Sequence, residues 1–274
     1  SQAVVAYAGV DVVCKIEVAR TYGKPRRSAL LYEDERKEPP EEEIPDYPVN
    51  LFFTRDGYFK KITPQSLRMS GEQKLKEGDE LIFTAESSNA KELLFFTDRC
   101  QVYKARVSDF EDTKASVLGD YVPSRLQMDE GENALYMAVT DRYEGFMLFF
   151  FENGKLAKVD MEAYQTKTNR KKLIAAYSDK SPPAAMHYAA EDADYLLRSS
   201  AGRLLLISTG AVAPKSTRST QGVSVMTLKK GQRLLSARRY EEGMLQKPHR
   251  YRTRTLPAAG SLPAPEEQAE QLSF

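Results

Sequence analysis

The sequence is poor in the residues that build metal sites and disulfide frameworks. Its 274 residues include two cysteines, Cys14 and Cys100, and two histidines, His187 and His249. No CxxC motif and no cysteine–histidine cluster is present, so we expect neither a disulfide framework nor a zinc or haem site. A reducing cytoplasm is the simplest compartment for such a chain.

Several other functional patterns are missing too. No apolar run approaches the length of a membrane span, and there is no secretory signal pattern. No G-x-x-x-x-G-K-[ST] loop occurs, so ATP is not expected to bind to this chain. The repeats described below bring together no acid–base groups, and we therefore expect the chain to be non-catalytic on its own.

The formal net charge of +1 hides a strong segregation of charge along the chain. Residues 33–46 carry about six more carboxylates than cations, whereas residues 155–254 carry about twelve more cations than carboxylates. Like charges are kept together at an electrostatic cost, so the asymmetry points to charged partners. The acidic stretch also contains several prolines, and residues 33–48 are interpreted as an exposed linker.

One β-hairpin pattern occurs four times. NLFFTRDGYFKK begins at Asn50, and its counterparts are LLFFTDRCQVYK from Leu93, MLFFFENGKLAK from Met147 and YLLRSSAGRLLL from Tyr195. Each reads as a strand, a tight turn and a return strand. Glycine stands at the turn in three of the four copies, whereas the second copy has Cys100 there, which predicts a different shape for that turn.

The spacing and chemistry of these hairpins predict the fold class. The copies are about 40–55 residues apart, which is typical of propeller blades. The runs LFF, LLFF and MLFFF are continuously apolar, as expected for strands covered on both faces by neighbouring blades. We predict an all-β, propeller-like fold with four recognisable blades, preceded by a short irregular or helical segment; the sequence leaves open whether there are more blades and whether the ring closes.

Basic residues recur just beyond each turn and in the loops that follow. Repeated along the blades, they predict a positively charged rim that binds the phosphates of a bent DNA duplex without reading its sequence. The alternative is that these side chains only keep exposed loops soluble. The predicted DNA-binding residues are Lys61, Arg68, Lys74, Lys104, Lys114, Lys155, Lys158, Lys167, Arg170, Lys171, Lys172, Arg203, Lys215 and Arg218.

The segment RYRTRT alternates basic with small polar residues. As a strand it would place Arg250, Arg252 and Arg254 on one face. Two interpretations remain open for that face. It could contact phosphates, or it could be an edge strand that closes the ring and uses arginine against aggregation.

Several motifs together resemble one protein family. The hairpin LLFFTDRCQVYKARVSDFED, the later MDEGENALYMAV and the closing TQGVSVMTLKKGQRL are similar to the C-terminal β-pinwheel domain of the bacterial type IIA topoisomerase A subunits, meaning gyrase A or its topoisomerase IV counterpart. YGKPRRS, from Tyr22 to Ser28, resembles the segment that leads into this domain from the cleavage core. The resemblance covers about residues 16–256.

The resemblance implies a domain organisation and a set of partners. Residues 1–32 would end the connection to the cleavage core, and residues 49–256 would form the DNA-binding β-pinwheel. Composition adds the linker of residues 33–48 and, from the Pro-rich and polar end of the sequence, a disordered tail of residues 257–274. Strands would be exchanged between blades. The partners would be double-stranded DNA, the ATPase subunit, and the cleavage core of the same polypeptide, with no membrane. ATP and magnesium would act only in the whole A2B2 enzyme, so the chain itself needs no cofactor.

The resemblance also bears on the type of topoisomerase. Gyrase has a Gln-Arg-Arg-Gly-Gly-x-Gly box in the loop of its first blade, whereas this sequence reads RMSGEQK from Arg68 to Lys74, with a single glycine and no Arg-Arg pair. This departure favours a topoisomerase IV-like domain, which holds and bends DNA, over a gyrase-like domain, which wraps it. The alternative to both is a propeller that binds other proteins.

Overall fold

The computed structural model describes residues 43–168 and 170–268. Pro45–Phe274 forms one compact unit, and Ser1–Ile44 forms another that lies almost entirely outside the described residues. The predictions for residues 1–32 and for most of the linker therefore fall outside the described part of the chain. None of the described helices is both long and apolar enough to cross a membrane.

Four antiparallel sheets follow one another along the chain, and we call them blades 1 to 4. Each blade consists of a hairpin of two strands and a third strand that pairs with the first strand of the hairpin. The hairpins are β1–β2 (Pro48–Thr54, Tyr58–Ile62), β4–β5 (Glu92–Thr97, Val102–Arg106), β8–β9 (Phe146–Phe151, Lys155–Asp160) and β12–β13 (Asp194–Ser199, Leu204–Ser208). The third strands are β3 (Leu81–Ser88), β7 (Ala134–Thr140), β11 (Pro183–Ala189) and β15 (Leu234–Arg239).

Three blades receive a fourth strand from the blade that follows them in the chain. These short strands pair with the second strand of the preceding hairpin: β6 (Asp120–Tyr121) joins blade 1, β10 (Lys172–Leu173) joins blade 2 and β14 (Val223–Ser224) joins blade 3. The all-β propeller-like fold with four blades is confirmed. The strand exchange implied by the family resemblance is present as well.

Short helical turns fill the connections between the strands. Three 3₁₀ turns follow the hairpins of blades 2 to 4, at Val107–Asp109, Met161–Tyr164 and Thr209–Ala211. Four helices of four to six residues complete the described elements: α1 (Pro64–Met69), α2 (Val122–Arg125), α3 (Pro248–Tyr251) and α4 (Pro265–Gln268).

The hairpin turns share one backbone conformation. The turn residues Gly57, Gly154 and Gly202 have φ values of 102°, 84° and 75°, and Cys100 has a φ of 55°. Cysteine thus occupies the left-handed region that glycine occupies in the other copies, at some conformational cost. The prediction of a different turn shape at Cys100 was wrong in this respect.

Apolar clusters hold consecutive blades together. One cluster joins blades 1 and 2 around Phe53 and Phe95, a second joins blades 2 and 3 around Phe96 and Phe149, and a third joins blades 3 and 4 around Phe150. Successive residues of a strand thus face opposite neighbours, which explains the continuous apolar runs. Each fully buried large side chain stabilises the fold by roughly 1.5–3 kcal/mol.

The two ends of the array are covered by other parts of the chain. On blade 1, Phe52 and Ile62 pack with Leu67 of α1. On blade 4, Leu206 packs with Leu245 and Tyr251. Among the described residues, no cluster of buried side chains joins blade 4 to blade 1.

Residues 257–268 belong to the fold. Ser261 pairs with Leu204 in the place that an exchanged strand takes on the other blades, and Ala258 pairs with Met226. Glu267 is buried and accepts a hydrogen bond of 2.8 Å from the backbone N–H of Lys247. For residues 257–268 the prediction of a disordered tail is therefore wrong, because these residues complete the edge and cover the end of blade 4; residues 269–274 lie outside the described part.

Every blade has a β-bulge at the same position of its third strand. The pairing shifts by one residue near the hairpin turn in all four blades, which leaves Ile82, Leu135, Ala184 and Leu235 as the extra residues. Such a bulge bends the strand and increases its twist. Ile82, Leu135 and Leu235 are between 40% and 43% exposed.

Candidate nucleic-acid interface

The repeated lysine beyond each turn connects one blade to the next. The side chain of Lys158 is only 3% exposed, and its Nζ lies 2.7 Å from Asp192 Oδ1. The same ammonium donates to the backbone carbonyls of Thr209 and Val212, each at 3.1 Å. All three partners belong to blade 4 or to the turns at its ends, so Lys158 fastens blade 3 to blade 4.

The equivalent lysines of the other blades do the same. Lys61 is also 3% exposed and donates to Asn89 Oδ1 at 2.8 Å and to the Val107 carbonyl at 3.3 Å. Lys104 is half-buried and donates to the Tyr164 carbonyl at 3.1 Å, with its Nζ 5.0 Å from the centre of the Tyr143 ring. Each ammonium reaches the segment that follows the next hairpin.

The one blade that lacks this lysine supports a structural role for the other three. Blade 4 has Leu206 at the position of the lysines, and no blade follows it among the described residues. Leu206 instead packs against Tyr251 and Leu245. The prediction that Lys61, Lys104 and Lys158 line a DNA-binding rim is therefore wrong, because their ammonium groups are already bonded within the protein.

Burial and pairing shift the pKa values around these lysines. The hydrogen bond from Lys158 holds the pKa of Asp192 below its ordinary value. Desolvation lowers the pKa of Lys104, a shift that the nearby carboxylate of Glu92 opposes. The lysine thus favours the charged form of Asp192, whereas burial disfavours the charged form of Lys104.

Contacts between the third strands show which edge of each blade forms the perimeter. His187 Nε2 on β11 lies 2.7 Å from the Ala237 carbonyl on β15, and the Tyr136 hydroxyl on β7 accepts a 2.7 Å hydrogen bond from the Tyr188 backbone N–H on β11. The third strands of blades 2, 3 and 4 therefore lie side by side on the inner side of these blades. The exchanged strands lie at the opposite edge of each sheet and hence at the perimeter.

About a third of the exposed lysines and arginines among the described residues lie in the segments that carry the exchanged strands. We call residues 111–121, 165–173 and 213–224 crossing segments 1, 2 and 3, and residues 252–261, which take the same place on blade 4, the terminal segment. Exposed cations in these segments are Lys114, Lys167, Arg170, Lys171, Lys172, Lys215, Arg252 and Arg254.

The charge is unevenly distributed among these segments. Crossing segment 1 contains Lys114 but also Glu111, Asp112 and Asp120. Crossing segment 2 carries four cations and no carboxylate, and crossing segment 3 and the terminal segment carry two cations each and no carboxylate. The perimeter is thus electropositive along blades 2, 3 and 4 but not along blade 1.

The remaining predicted residues lie in varied surroundings. Arg68 and Lys74 are exposed in the connection of residues 63–80 on blade 1, and Lys155 is half-buried beside a hairpin turn. The other two arginines are half-buried and hold backbone: Arg203 donates to the Gly260 carbonyl at 2.9 Å, and Arg218 donates to the Ala163 carbonyl at 3.0 Å.

RYRTRT does not form the predicted strand. Its first part is helix α3, and Arg250 donates to the Leu262 carbonyl at 3.1 Å. Arg252 pairs with Asp194 at 2.9 Å. The three arginines therefore do not line one face of a strand. Arg254 alone among them has no hydrogen bond or ion pair with the described residues.

Two kinds of important residue were missed by sequence reasoning. Lys60 is 1% exposed, and its Nζ donates to the carbonyls of Lys74, Ala115 and Val117 at 2.9–3.2 Å. Burial lowers the pKa of this lysine. The alternation of the strand gives a hint, because Lys60 shares a sheet face with buried Ile62.

The second kind is a glycine just before the exchanged residue. Gly119, Gly222 and Gly260 have φ values of 95°, 78° and 76°, and an added Cβ would lie 2.2–2.4 Å from a carbonyl oxygen of the receiving strand. The position requires glycine both for its conformation and for the close approach of two backbones. Its recurrence in LGDY, QGVS and AGSL was a detectable pattern.

Neither a metal site nor a reactive thiol is assembled among the described residues. No group of three or more histidine, cysteine, aspartate or glutamate side chains among them could hold a metal ion. Burial raises the pKa of the Cys100 thiol, and its Sγ lies 4.0 Å from the Ser178 carbonyl. A raised pKa disfavours the reactive thiolate, so Cys100 is not a nucleophile candidate.

Comparison with known proteins gives a consistent result. Residues 196–240 match the family model of the DNA gyrase C-terminal domain, beta-propeller. The DNA topoisomerase 4 A subunits from Bacillus subtilis strain 168 and from Staphylococcus aureus are 24% identical over 159 residues and 27% identical over 164 residues, respectively. These matches cover 53% and 58% of this chain, which spans about a fifth (20%) of the length of either relative.

Solved structures share the fold. The crystal structure of the C-terminal domain of DNA topoisomerase IV aligns with a TM-score of 0.68 and 20% identity over 80% of this chain and 73% of that one. The Escherichia coli ParC C-terminal domain aligns with a TM-score of 0.59 and 12% identity over 80% of this chain and 94% of that one. These findings agree with the resemblance seen in the sequence: residues 196–240 match the gyrase C-terminal domain family, and the fold is that of the C-terminal domains of DNA topoisomerase IV and ParC.

Proposed function

We propose that this chain binds duplex DNA without reading its sequence and bends it along the perimeter of blades 2, 3 and 4. The observation that carries the proposal is a set of exposed cations that make no ion pair with the described residues and lie at equivalent edges of consecutive blades: Lys167, Arg170, Lys171, Lys215 and Arg254. Lys172 and Arg252 are exposed there too, but they pair with Asp129 and Asp194. Phosphates of a duplex are met by lysine and arginine regardless of base sequence. A curved row of such groups stabilises a bent path.

The size of the attraction is compatible with bending. Bending a site of 20–30 base pairs by 40–90° costs on the order of 1–6 kcal/mol. Neutralising about five phosphates changes affinity several hundredfold between 50 and 200 mM salt, which corresponds to about 4 kcal/mol. This attraction is of the same order as the cost of the bend.

In the whole enzyme, the domain would position DNA for ATP-dependent strand passage. The chain would be joined to the cleavage core of its own polypeptide and would work with the ATPase subunit in an A2B2 assembly, in the cytoplasm and associated with the nucleoid. We favour a topoisomerase IV-like role over gyrase-like wrapping. Residues 68–74 lack the arginine pair and two of the three glycines of the gyrase box, and the relatives described above are topoisomerase IV subunits.

A salt titration of DNA binding by the full chain tests this function. With about five phosphates contacted, the logarithm of the binding constant should fall with the logarithm of salt concentration with a slope of about −4 to −5. Two unrelated duplexes of equal length should bind alike. A slope near zero, or no binding, would overturn the proposal.

One observation favours a second candidate, a propeller that binds another protein. The bulge residues Ile82, Leu135 and Leu235 expose apolar surface at equivalent positions of three blades. If they form the binding surface, a triple change of these residues to serine would abolish partner capture while DNA binding stays weak and independent of salt. The DNA-binding proposal predicts that the same variant keeps the salt dependence of the unmodified chain.

Wrapping and bending can be separated on circular DNA. A domain that bends without wrapping should leave the linking number of relaxed plasmid almost unchanged when a nicking-closing topoisomerase is present and then removed. Constrained supercoils would instead assign the gyrase-like role.

A further inference from the structure

One cleft on the perimeter collects cations from two different connections. It has a volume of about 370 Å³ and lies beside β5 of blade 2. The 3₁₀ turn at Val107–Asp109, helix α2 and crossing segment 2 form its other walls. The cations among its lining residues are Lys104, Arg125 and Lys171.

The three cations are not equally available. Lys104 is held by the Tyr164 carbonyl and Thr166, as described above. Lys171 is exposed, and its ammonium has no hydrogen bond or ion pair within residues 43–168 and 170–268. Its backbone is fixed, because its carbonyl accepts a 2.8 Å hydrogen bond from the Lys104 N–H.

Arg125 is positioned with part of its guanidinium free. One guanidinium nitrogen, Nη2, donates to the Asp109 carbonyl at 2.7 Å, and the guanidinium carbon lies 5.6 Å from the centre of the Phe110 ring. These contacts fix the plane of an exposed side chain and leave further N–H donors available. A planar guanidinium held in this way suits the oxygens of a phosphate.

The carboxylate in the cleft is already engaged. Asp109 Oδ2 accepts a 2.8 Å hydrogen bond from the Arg106 backbone N–H at the start of the 3₁₀ turn. Asp109 lowers the positive potential of the cleft without cancelling it, since the Lys171 ammonium is unpaired with the described residues and Arg125 keeps further N–H donors. The cleft is therefore built to take a singly charged anionic group.

We propose that this cleft is the principal phosphate-binding subsite of the perimeter and that it holds one backbone phosphodiester between Arg125 and Lys171. The inference rests on the proposed function and adds where duplex DNA is held most firmly. The first blade, where gyrase places its box, is not the anchor of this chain. Its connection of residues 63–80 carries Glu72, Glu77, Asp79 and Glu80 against three cations, and crossing segment 1 is also acidic.

The test compares two pairs of exposed cations by salt titration of duplex binding. Arg125→Gln with Lys171→Gln should reduce the steepness of the log–log slope by about 2 units and lower affinity at ~0.1 M salt by at least about tenfold. The matched control, Arg68→Gln with Lys74→Gln, removes the same charge from blade 1. It should change the slope by less than about half a unit.

Arg125 also supports the fold, so a second variant keeps the test independent of folding. Lys171→Gln alone removes no contact among the described residues and should reduce the steepness of the slope by about 1 unit with an unchanged melting temperature. Equal effects of the two pairs, or no effect of Lys171→Gln, would overturn the assignment. If the unmodified chain does not bind DNA, both the proposed function and the cleft assignment fail.

A competition arm distinguishes the source of the phosphate group. Sodium phosphate should displace no more DNA than sodium chloride of the same ionic strength, because a single phosphodiester gains its affinity from the rest of the duplex. Clear excess displacement by phosphate from the unmodified chain, absent in the double variant, would reassign the cleft to a free anion and overturn the proposal.

Discussion

Replacing Lys158 with methionine tests the structural role of the repeated lysines. The Nζ atom makes three contacts, to Asp192 Oδ1 at 2.7 Å and to the carbonyls of Thr209 and Val212 at 3.1 Å. Methionine fills a similar volume but donates no hydrogen bond, so the Val212 carbonyl loses its donor. The Thr209 carbonyl keeps the Val212 N–H at 3.1 Å, and Asp192 Oδ1 keeps the Thr209 hydroxyl at 3.0 Å. A buried polar group left without a partner costs about 1–3 kcal/mol.

The expected loss is about 2–4 kcal/mol in the free energy of unfolding. The figure combines one unsatisfied carbonyl with the loss of a charged donor, because Thr209 and Asp192 keep other donors and the Asp192 side chain is 46% exposed. For a domain of this size, each kcal/mol lowers the melting temperature by about 2–4 °C. Chemical denaturation and calorimetry of the full chain measure both quantities.

DNA binding by the same variant decides between the two roles of the lysine. A structural lysine leaves the salt slope unchanged at temperatures where the variant is folded, whereas a phosphate contact would reduce its steepness by about 0.9. Lys167→Met, at an exposed site of crossing segment 2, is the control with the opposite expectation. An unchanged stability together with a shallower slope for Lys158→Met would refute the reasoning.

Three further predictions concern other parts of the fold. Gly222→Ala should destabilise the protein by about 1 kcal/mol or more beyond the loss caused by Gly231→Ala, as measured by denaturant titration. Both glycines have a φ near 80°, but only at Gly222 would an added Cβ meet backbone, the Leu156 carbonyl oxygen at 2.2 Å. Equal losses for the two variants would contradict the close approach of the two backbones. Burial lowers the pKa of His187 in the folded chain. The unfolded chain therefore binds more protons near the ordinary histidine pKa of about 6.5, and the free energy of unfolding should fall as pH drops below that value. His187→Gln should remove this part of the pH dependence, and an unchanged pH profile of stability would contradict the prediction. Removing residues 257–274 should lower the melting temperature and expose apolar surface on blade 4 to a fluorescent hydrophobic dye, whereas unchanged melting would restore the interpretation of the segment as a tail.

Periodicity explains why the blades could be predicted from the sequence. A hairpin with apolar residues on both faces cannot be stable alone, so four copies at blade spacing imply stacking. The runs around Phe53, Phe95 and Phe149 are indeed buried on both sides. Such hydrophobic patterns extend over only about a dozen residues, so they are visible in the sequence, and the structure agrees with them.

The two-residue period of side chains along a strand would have corrected the interpretation of the repeated lysines, Lys61, Lys104 and Lys158. Lys61 stands two residues after Phe59, and Lys158 stands two residues after Leu156. Residues two apart on a strand share a face, and both apolar residues are fully buried. The repeated lysines therefore point into the blade interfaces rather than toward the rim.

Strand exchange and the covering of blade 4 depend on contacts distant in sequence. The exchanged strands β6, β10 and β14 are two residues long, which is too short to show any alternation. Pro-rich and polar composition suggested a tail after residue 256, but Ser261 and Glu267 find partners 57 and 20 residues away. Local composition carries no information about partners at such separations.

The most direct test of DNA binding by the perimeter is the salt dependence of a variant without the cations of crossing segment 2. Lys167, Arg170, Lys171 and Lys172 are all exposed, and each is replaced by glutamine in the full chain. If these side chains meet phosphates, the log–log slope of duplex binding becomes shallower by about 3–4 units while the melting temperature stays within a few degrees of the unmodified chain. A folded variant that keeps the full slope would contradict the account.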